Sequence, residues 1–171
     1  MAKKYPFIQF VKNDVNRGFT YSVNRGAKLA TGDYIYIASA NDIVYPGFFE
    51  KSMEMLEKYP QAGLSCTDFN LLNVADGSLR RSTWISEGGY YSPDELVKKA
   101  RVSQTTFSAG PNSIIRADVI PEIMYVPEIY CFGDWFLSKL IAFRYGCCYI
   151  PEPLAAVRWI NNSLTDTLLK R

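Results

Sequence analysis

The residues able to do chemistry are limited first by an absence: the 171-residue chain contains no histidine. That excludes Ser-His-Asp and Cys-His nucleophilic machinery and any histidine general base. Acid–base work then falls to carboxylates, and a metal would be a hard cation held by oxygen. Two acidic positions stand at places where elements meet. Asp42 ends the loop Ser39-Ala40-Asn41-Asp42, directly after the apolar run Tyr34 to Ala38. Asp134 begins a helix-like stretch in Phe132-Gly133-Asp134-Trp135. Asn41 adds a neutral carbonyl oxygen beside Asp42, as asparagine does in calcium sites. Each acid also has an ordinary reading, Asp42 as a solvated or helix-capping residue and Asp134 as an N-cap.

Two Asn-Arg-Gly triplets lie close together, at Asn16-Arg17-Gly18 and Asn24-Arg25-Gly26. The first falls where a helix begins, where glycine lets backbone approach a ligand and helix N–H groups face an anion. The second falls inside the helix, where glycine costs about 1 kcal/mol against alanine and implies a packing reason. A turn plus a close helix–strand contact explains both without a ligand.

The elements that must hold these residues follow from periodicity. Phe7 to Val11 reads as a short strand, Arg17 to Leu29 as a helix stopped by Gly32 in a left-handed C′ position, and Tyr34 to Ala38 as a buried parallel strand. Gly47 to Tyr59 reads as a helix with Phe49, Met53 and Leu56 on one face, and Ala62 to Thr67 as the next strand. Phe69 to Val74 and Ser78 to Trp84 form a hairpin across Ala75-Asp76-Gly77. Ser92-Pro93-Asp94-Glu95 is a capping box that starts a helix running to about Arg101. Asn112 to Ile115 is a short strand, Ala117 to Ile120 a helical turn, and Gly133 to Tyr145 a helix. Cys147 to Ile150 and Ala155 to Trp159 read as strands, with a loose tail beyond. Alternating strands and helices indicate an α/β fold built on a mostly parallel sheet, in one domain spanning 1–171.

Composition narrows the class. The chain is 48% hydrophobic and 21% charged, with net charge +2 and no basic run, so neither disorder nor a nucleic-acid surface is expected. Apolar runs fall far short of the roughly 20 residues that span a bilayer, and Met1-Ala2-Lys3-Lys4 has no apolar core behind it. A cytoplasmic protein is expected, its cysteines (Cys66, Cys131, Cys147 and Cys148) reduced and in the core. Cys147 and Cys148 should point to opposite faces of a strand.

Taken in order, Asn16-x-Gly18, Asn24-x-Gly26, Ala30-x-Gly32-Asp33-Tyr34-Ile35, the polar loop and Pro46 resemble the central block of family 2 glycosyltransferases. There a helix with A-R-N-x-G precedes G-E/D-Y-I and an acidic D-x-D loop. The resemblance implies a Rossmann-like GT-A sheet with a small antiparallel part. It implies transfer of a sugar from a nucleotide-diphosphate sugar, a UDP-sugar foremost, to a glycan or lipid-linked hydroxyl acceptor. On this reading Asn16, Gly18, Asn24, Gly26, Ser39, Asn41, Asp42 and Arg158 bind the nucleotide sugar, and Asn41 with Asp42 holds manganese or magnesium. Phe132-Gly133-Asp134-Trp135 matches the family's E-D or G-D pair, making Asp134 the base of an inverting transfer, ionised with a low pKa at a helix N-terminus. Phe132 and Trp135 would stack on the acceptor.

The chain departs from the pattern at definite places. Ser39 and Asn41 stand where the first two loop aspartates stand, Val23 where an arginine often precedes the helix asparagine, and Val157 and Ile160 where the closing motif has tyrosine and histidine. The cation is therefore expected to be weakly held or absent. A reading from another class follows: a nucleotide- or glycan-binding module that has lost its metal. The family's first two βα units, about 60 residues, have no counterpart before Phe7. That would leave a sheet edge suited to covering by a homodimer, at the cytoplasmic side of a membrane or free of it.

Overall fold

The computed structural model describes residues 4–103, 110–120 and 133–160. Among the described residues four α-helices, α1 (Gly18–Leu29), α2 (Phe48–Lys58), α3 (Pro93–Ser103) and α4 (Gly133–Tyr145), and a 3-10 turn at Ala117–Val119 accompany seven strands. The strands are β1 (Tyr34–Tyr36), β2 (Ile43–Val44), β3 (Leu64–Asn73), β4 (Leu79–Ser82), β5 (Gly89–Tyr91), β6 (Ser113–Arg116) and β7 (Cys147–Trp159). They form one sheet of order β1-β6-β3-β7-β2, with β4 beside β3 and β5 beside β7.

The α/β class holds, but the pairing is less parallel than alternation of strands and helices suggests. Among the described residues only β3 and β7 pair in parallel; β1–β6, β3–β6, β3–β4, β2–β7 and β5–β7 are antiparallel. Short strands line the two outer edges of the long central pair. β6 meets Leu64 to Cys66 and β4 meets Phe69 to Leu72 on β3, while β5 meets Cys147 to Tyr149 and β2 meets Ala155 and Ala156 on β7.

Both faces of the sheet are apolar, so side-chain alternation sends neighbours into different cores. Leu64, Cys66, Ile115, Cys147 and Tyr149 join Leu96 of α3 and Leu137 and Ile141 of α4 on one side. Ile114, Cys148 and Ile150 join Phe48 and Leu56 of α2 on the other. Cys147 and Cys148 thus divide between the faces as expected, and Cys66, Cys147 and Cys148 are buried free thiols. Burial pushes the Cys66 thiol well up and the Cys148 thiol up to about 12, so both are inert as nucleophiles. Cys131 lies outside the described residues.

Several local readings hold. In the capping box, Ser92 donates its N–H and hydroxyl to Glu95 Oε2 at 2.8 and 2.7 Å. The hairpin turns at Ala75-Asp76-Gly77, with Gly77 N–H donating to Asn73 O at 2.8 Å. Others do not. Phe7 to Val11 is not a strand. The chain leaves α1 extended at Ala30 (φ −70°, ψ 135°) without a left-handed Gly32. β1 is half-buried and ends the strand order rather than lying buried among parallel neighbours. On α2, Leu56 is buried and Met53 packs against the core as expected, but Phe48 and Ser52 are buried where Phe49 was expected and Phe49 is exposed. β2 and β5 went unread because two or three residues carry too little periodicity. β7 runs unbroken through Pro151 and Pro153, where its register on β3 shifts beside Asp68. No helix among the described residues is long and apolar enough to cross a membrane, and the tail from 161 onward is outside them.

Candidate active site

β6 runs antiparallel to both β1 and β3, and β7 runs parallel to β3, so β1, β3 and β7 share one direction. The loop after β1 therefore emerges at the carboxyl end of the sheet, where open α/β folds bind ligands. β2 zips the far side of the loop onto β7 through Ile43–Ala156 and Val44–Ala155. Asp42 completes the attachment: its Oδ1 accepts the Arg158 backbone N–H at 2.9 Å. Within the loop, Ser39 Oγ donates to Asn41 Oδ1 at 2.8 Å. The loop residues Ser39, Asn41 and Asp42 and the backbone of Arg158, 116 positions after Asp42, are thus brought together. It is the Arg158 main chain that meets Asp42, and its side chain is exposed.

Asp134 sits in the first turn of α4, its Oδ1 accepting the Trp135 N–H at 2.8 Å. Gly110 packs against its other oxygen: a Cβ on Gly110 would lie 2.9 Å from Asp134 Oδ2 and 3.8 Å from Trp135 Cδ1. The expectation of a low pKa is overturned. Loss of water raises the Asp134 carboxyl above its ordinary value, the negative Asp42 adds to the rise, and the backbone N–H groups of Trp135 and Asp134 oppose it without prevailing. Tyr36 closes the group from the end of β1. Its hydroxyl donates to Pro111 O at 2.9 Å, and burial followed by Asp42 raises its pKa. Asp42, Asp134, Tyr36 and the Gly110–Pro111 turn therefore converge at one end of the sheet. Trp135 is 41% exposed beside Asp134, with Lys139 Nζ 5.8 Å from its ring centroid. Phe132 lies outside the described residues.

The α1 residues form a second surface. Asn16 Oδ1 accepts the Gly18 N–H at 2.9 Å, and Gly18 takes φ +82°, so the first triplet builds a left-handed entry to the helix. Arg17 pairs with Asp14 at 3.0 and 2.9 Å. Asn24 lines a groove with Arg17, Thr20, Tyr21, Arg25 and Lys28, which none of Ser39 to Asp42 lines. At Gly26 a Cβ would meet nothing within 4 Å, which corrects the packing reason expected for it. Among the described residues no three His, Cys, Asp or Glu side chains group as a metal site.

One buried acid escaped the sequence reading. The Asp68 side chain is 1% exposed and accepts from Arg81 Nε and Nη2 at 3.2 and 2.8 Å and from the Tyr149 hydroxyl. Arg81 Nη2 also donates to Pro151 O at 2.6 Å, tying β4 across β3 to the bend in β7. Asp68 stands in an ordinary strand pattern, and only the charge in an otherwise uncharged run could have signalled it.

The pattern of glycosyl transferase family 2 matches residues 1–124, most of the chain. This chain belongs to that family. The match to family 2 includes the Ser39–Asp42 loop and ends before Asp134. An uncharacterized glycosyltransferase, YibD of Escherichia coli (strain K12), is 37% identical over 54 residues, covering 32% of this chain and 15% of that protein. The crystal structure of S. aureus TarS 1-349 in complex with UDP-GlcNAc is similar with a TM-score of 0.66 at 11% identity, over 95% of this chain and 46% of that one. A second crystal structure of S. aureus TarS 1-349 gives a TM-score of 0.62 at 12% identity, over 83% and 40%. These likenesses show the GT-A fold, and the family 2 chain described here spans less than half the length of each of these proteins.

Proposed function

We propose that this chain transfers a sugar from a nucleotide-diphosphate sugar, a UDP-sugar foremost, to a hydroxyl of a glycan or lipid-linked acceptor, with inversion. The Asp42 loop at the carboxyl end of β1, with Asp134 joined to that end through Gly110, Pro111 and Tyr36, carries the reading. Asp134, ionised, takes the proton of the acceptor hydroxyl as that oxygen forms its bond to the anomeric carbon. The anomeric C–O bond breaks on the opposite face, and its electron pair leaves with the diphosphate. Trp135 offers a ring face to the acceptor sugar.

The donor set for a cation is one carboxylate and one amide oxygen. Asp42 holds Arg158 through Oδ1, which leaves Oδ2 for a metal, and Asn41 Oδ1 keeps a lone pair beyond the one facing Ser39. That set suits magnesium or manganese, which take one or two carboxylates and complete their shell with substrate phosphates and water. Bound there, the cation would neutralise charge developing on the diphosphate.

Asp42→Asn isolates the charge, because the amide oxygen can still accept the Arg158 N–H. Release of UDP from a panel of UDP-sugars with manganese, using water or glycan hydroxyls as acceptor, is expected in the wild type and lost in Asp42→Asn. UDP binding without release from any UDP-sugar would instead favour a binding module, the reading that Ser39 and Asn41 support.

A further inference from the structure

We propose that Asn112 is a positioning residue for the transfer reaction: it clamps the Gly110–Ser113 turn into a backstop that fixes where the Asp134 carboxylate points. The inference rests on the reading of Asp134 as the base.

Asn112 is 1% exposed, and a buried amide is tolerated only when its polar atoms are bonded. Its Oδ1 accepts the Gly110 N–H at 3.0 Å, and its Nδ2 donates to the Thr67 carbonyl of β3. Its own carbonyl accepts the Thr67 N–H at 3.0 Å. The turn is thereby stitched to β3 by side chain and main chain together. Ser113 adds two bonds to Gly110 O, from Oγ at 2.8 Å and from N–H at 3.2 Å, and Tyr36 of β1 holds Pro111 O. Both polar groups of Gly110 are taken, which braces the turn.

What this rigid turn presents to α4 is the bare Cα of Gly110, against Asp134 Oδ2. The contact excludes water from one side of the carboxylate and blocks rotation in that direction, while the Trp135 N–H holds the other oxygen. A carboxylate that must meet an acceptor hydroxyl in line with the anomeric carbon gains from being held in one place. The amide suits the task because it carries a neutral donor and a neutral acceptor on separate atoms, one for Thr67 and one for Gly110.

A turn needed only for folding would show itself in stability alone, and Gly110→Ala separates the two roles. Gly110 is outside the left-handed region, so alanine imposes no backbone strain, and no hydrogen bond is removed. The new methyl meets the free end of one short side chain, and Asp134 must turn away. Gly110→Ala is expected to keep the thermal midpoint and the KM for UDP-sugar while kcat falls about 100-fold, the scale of an ångström-sized misplacement. Asn112→Ala is expected to lower kcat similarly beyond any loss of folded protein.

Asp134→Asn, assayed alongside, keeps the two readings apart. If it loses kcat while Gly110→Ala retains it, the positioning role is overturned and the base stands. If Asp134→Asn retains kcat, the base itself falls and the positioning role falls with it. A crystal structure of Gly110→Ala with Asp134 unmoved would also overturn the proposal.

Discussion

Asp134→Asn is expected to lower kcat for sugar transfer by about 10²–10⁴-fold, the usual worth of a general base, with UDP affinity preserved. The amide matches the carboxylate in shape and can still accept the Trp135 N–H, but it cannot take a proton. The pH profile carries further information. The base works ionised, so rate falls as pH drops through its pKa, and burial raises that pKa above the value ordinary for aspartate. Stability responds with the opposite sign. A carboxyl whose folded pKa lies above its unfolded value weakens the fold above the folded pKa, and this weakening is relieved as pH falls through the window between the two. Asp134→Asn should therefore raise the thermal midpoint at neutral pH while removing activity, measured by calorimetric melting beside the kinetic assay.

The second large effect concerns the fold. Arg81→Ala is expected to cost about 3 kcal/mol, the low end for removing one partner of a buried ion pair. Asp68 would keep the Tyr149 hydroxyl but lose the cation that offsets its burial, and Pro151 O would lose its donor. The guanidinium is itself half-exposed, which holds the figure down. Asp68→Asn should cost less, because it removes the charge and keeps an acceptor for Tyr149. Urea unfolding of both variants checks the order. Equal losses, or a near-neutral Arg81→Ala, would mean that the network does not brace β4 and the bend of β7.

How much of this was legible in the sequence depended on the range of the interaction concerned. The capping box at Ser92–Glu95, the Asp-Gly hairpin turn and the opposed faces of Cys147 and Cys148 are local rules, and each holds. Antiparallel β6 beside β1 and β3 was not legible, because alternation along the chain does not specify strand direction once a hairpin intervenes. The two-residue β2 exists only because β7 offers it a partner. At the site, Asp42, Arg158 and Asp134 could be named from the motif order, yet their relation could not. Arg158 serves Asp42 through its backbone, which no side-chain pattern encodes. Asp134 was expected to be acidic from its place at a helix N-terminus, whereas desolvation by Gly110 and its neighbours dominates. The contributions of Gly110, Asn112 and Tyr36 arise from contacts across distant segments.

The most direct measurement of the central claim is a calorimetric titration of UDP into this chain, with and without manganese, in the wild type and in Asp42→Asn. The expected result is binding strengthened by manganese in the wild type, with the manganese increment lost in Asp42→Asn. Absence of UDP binding, or binding equal in both proteins and indifferent to manganese, would contradict a nucleotide-sugar site built on the Asp42 loop.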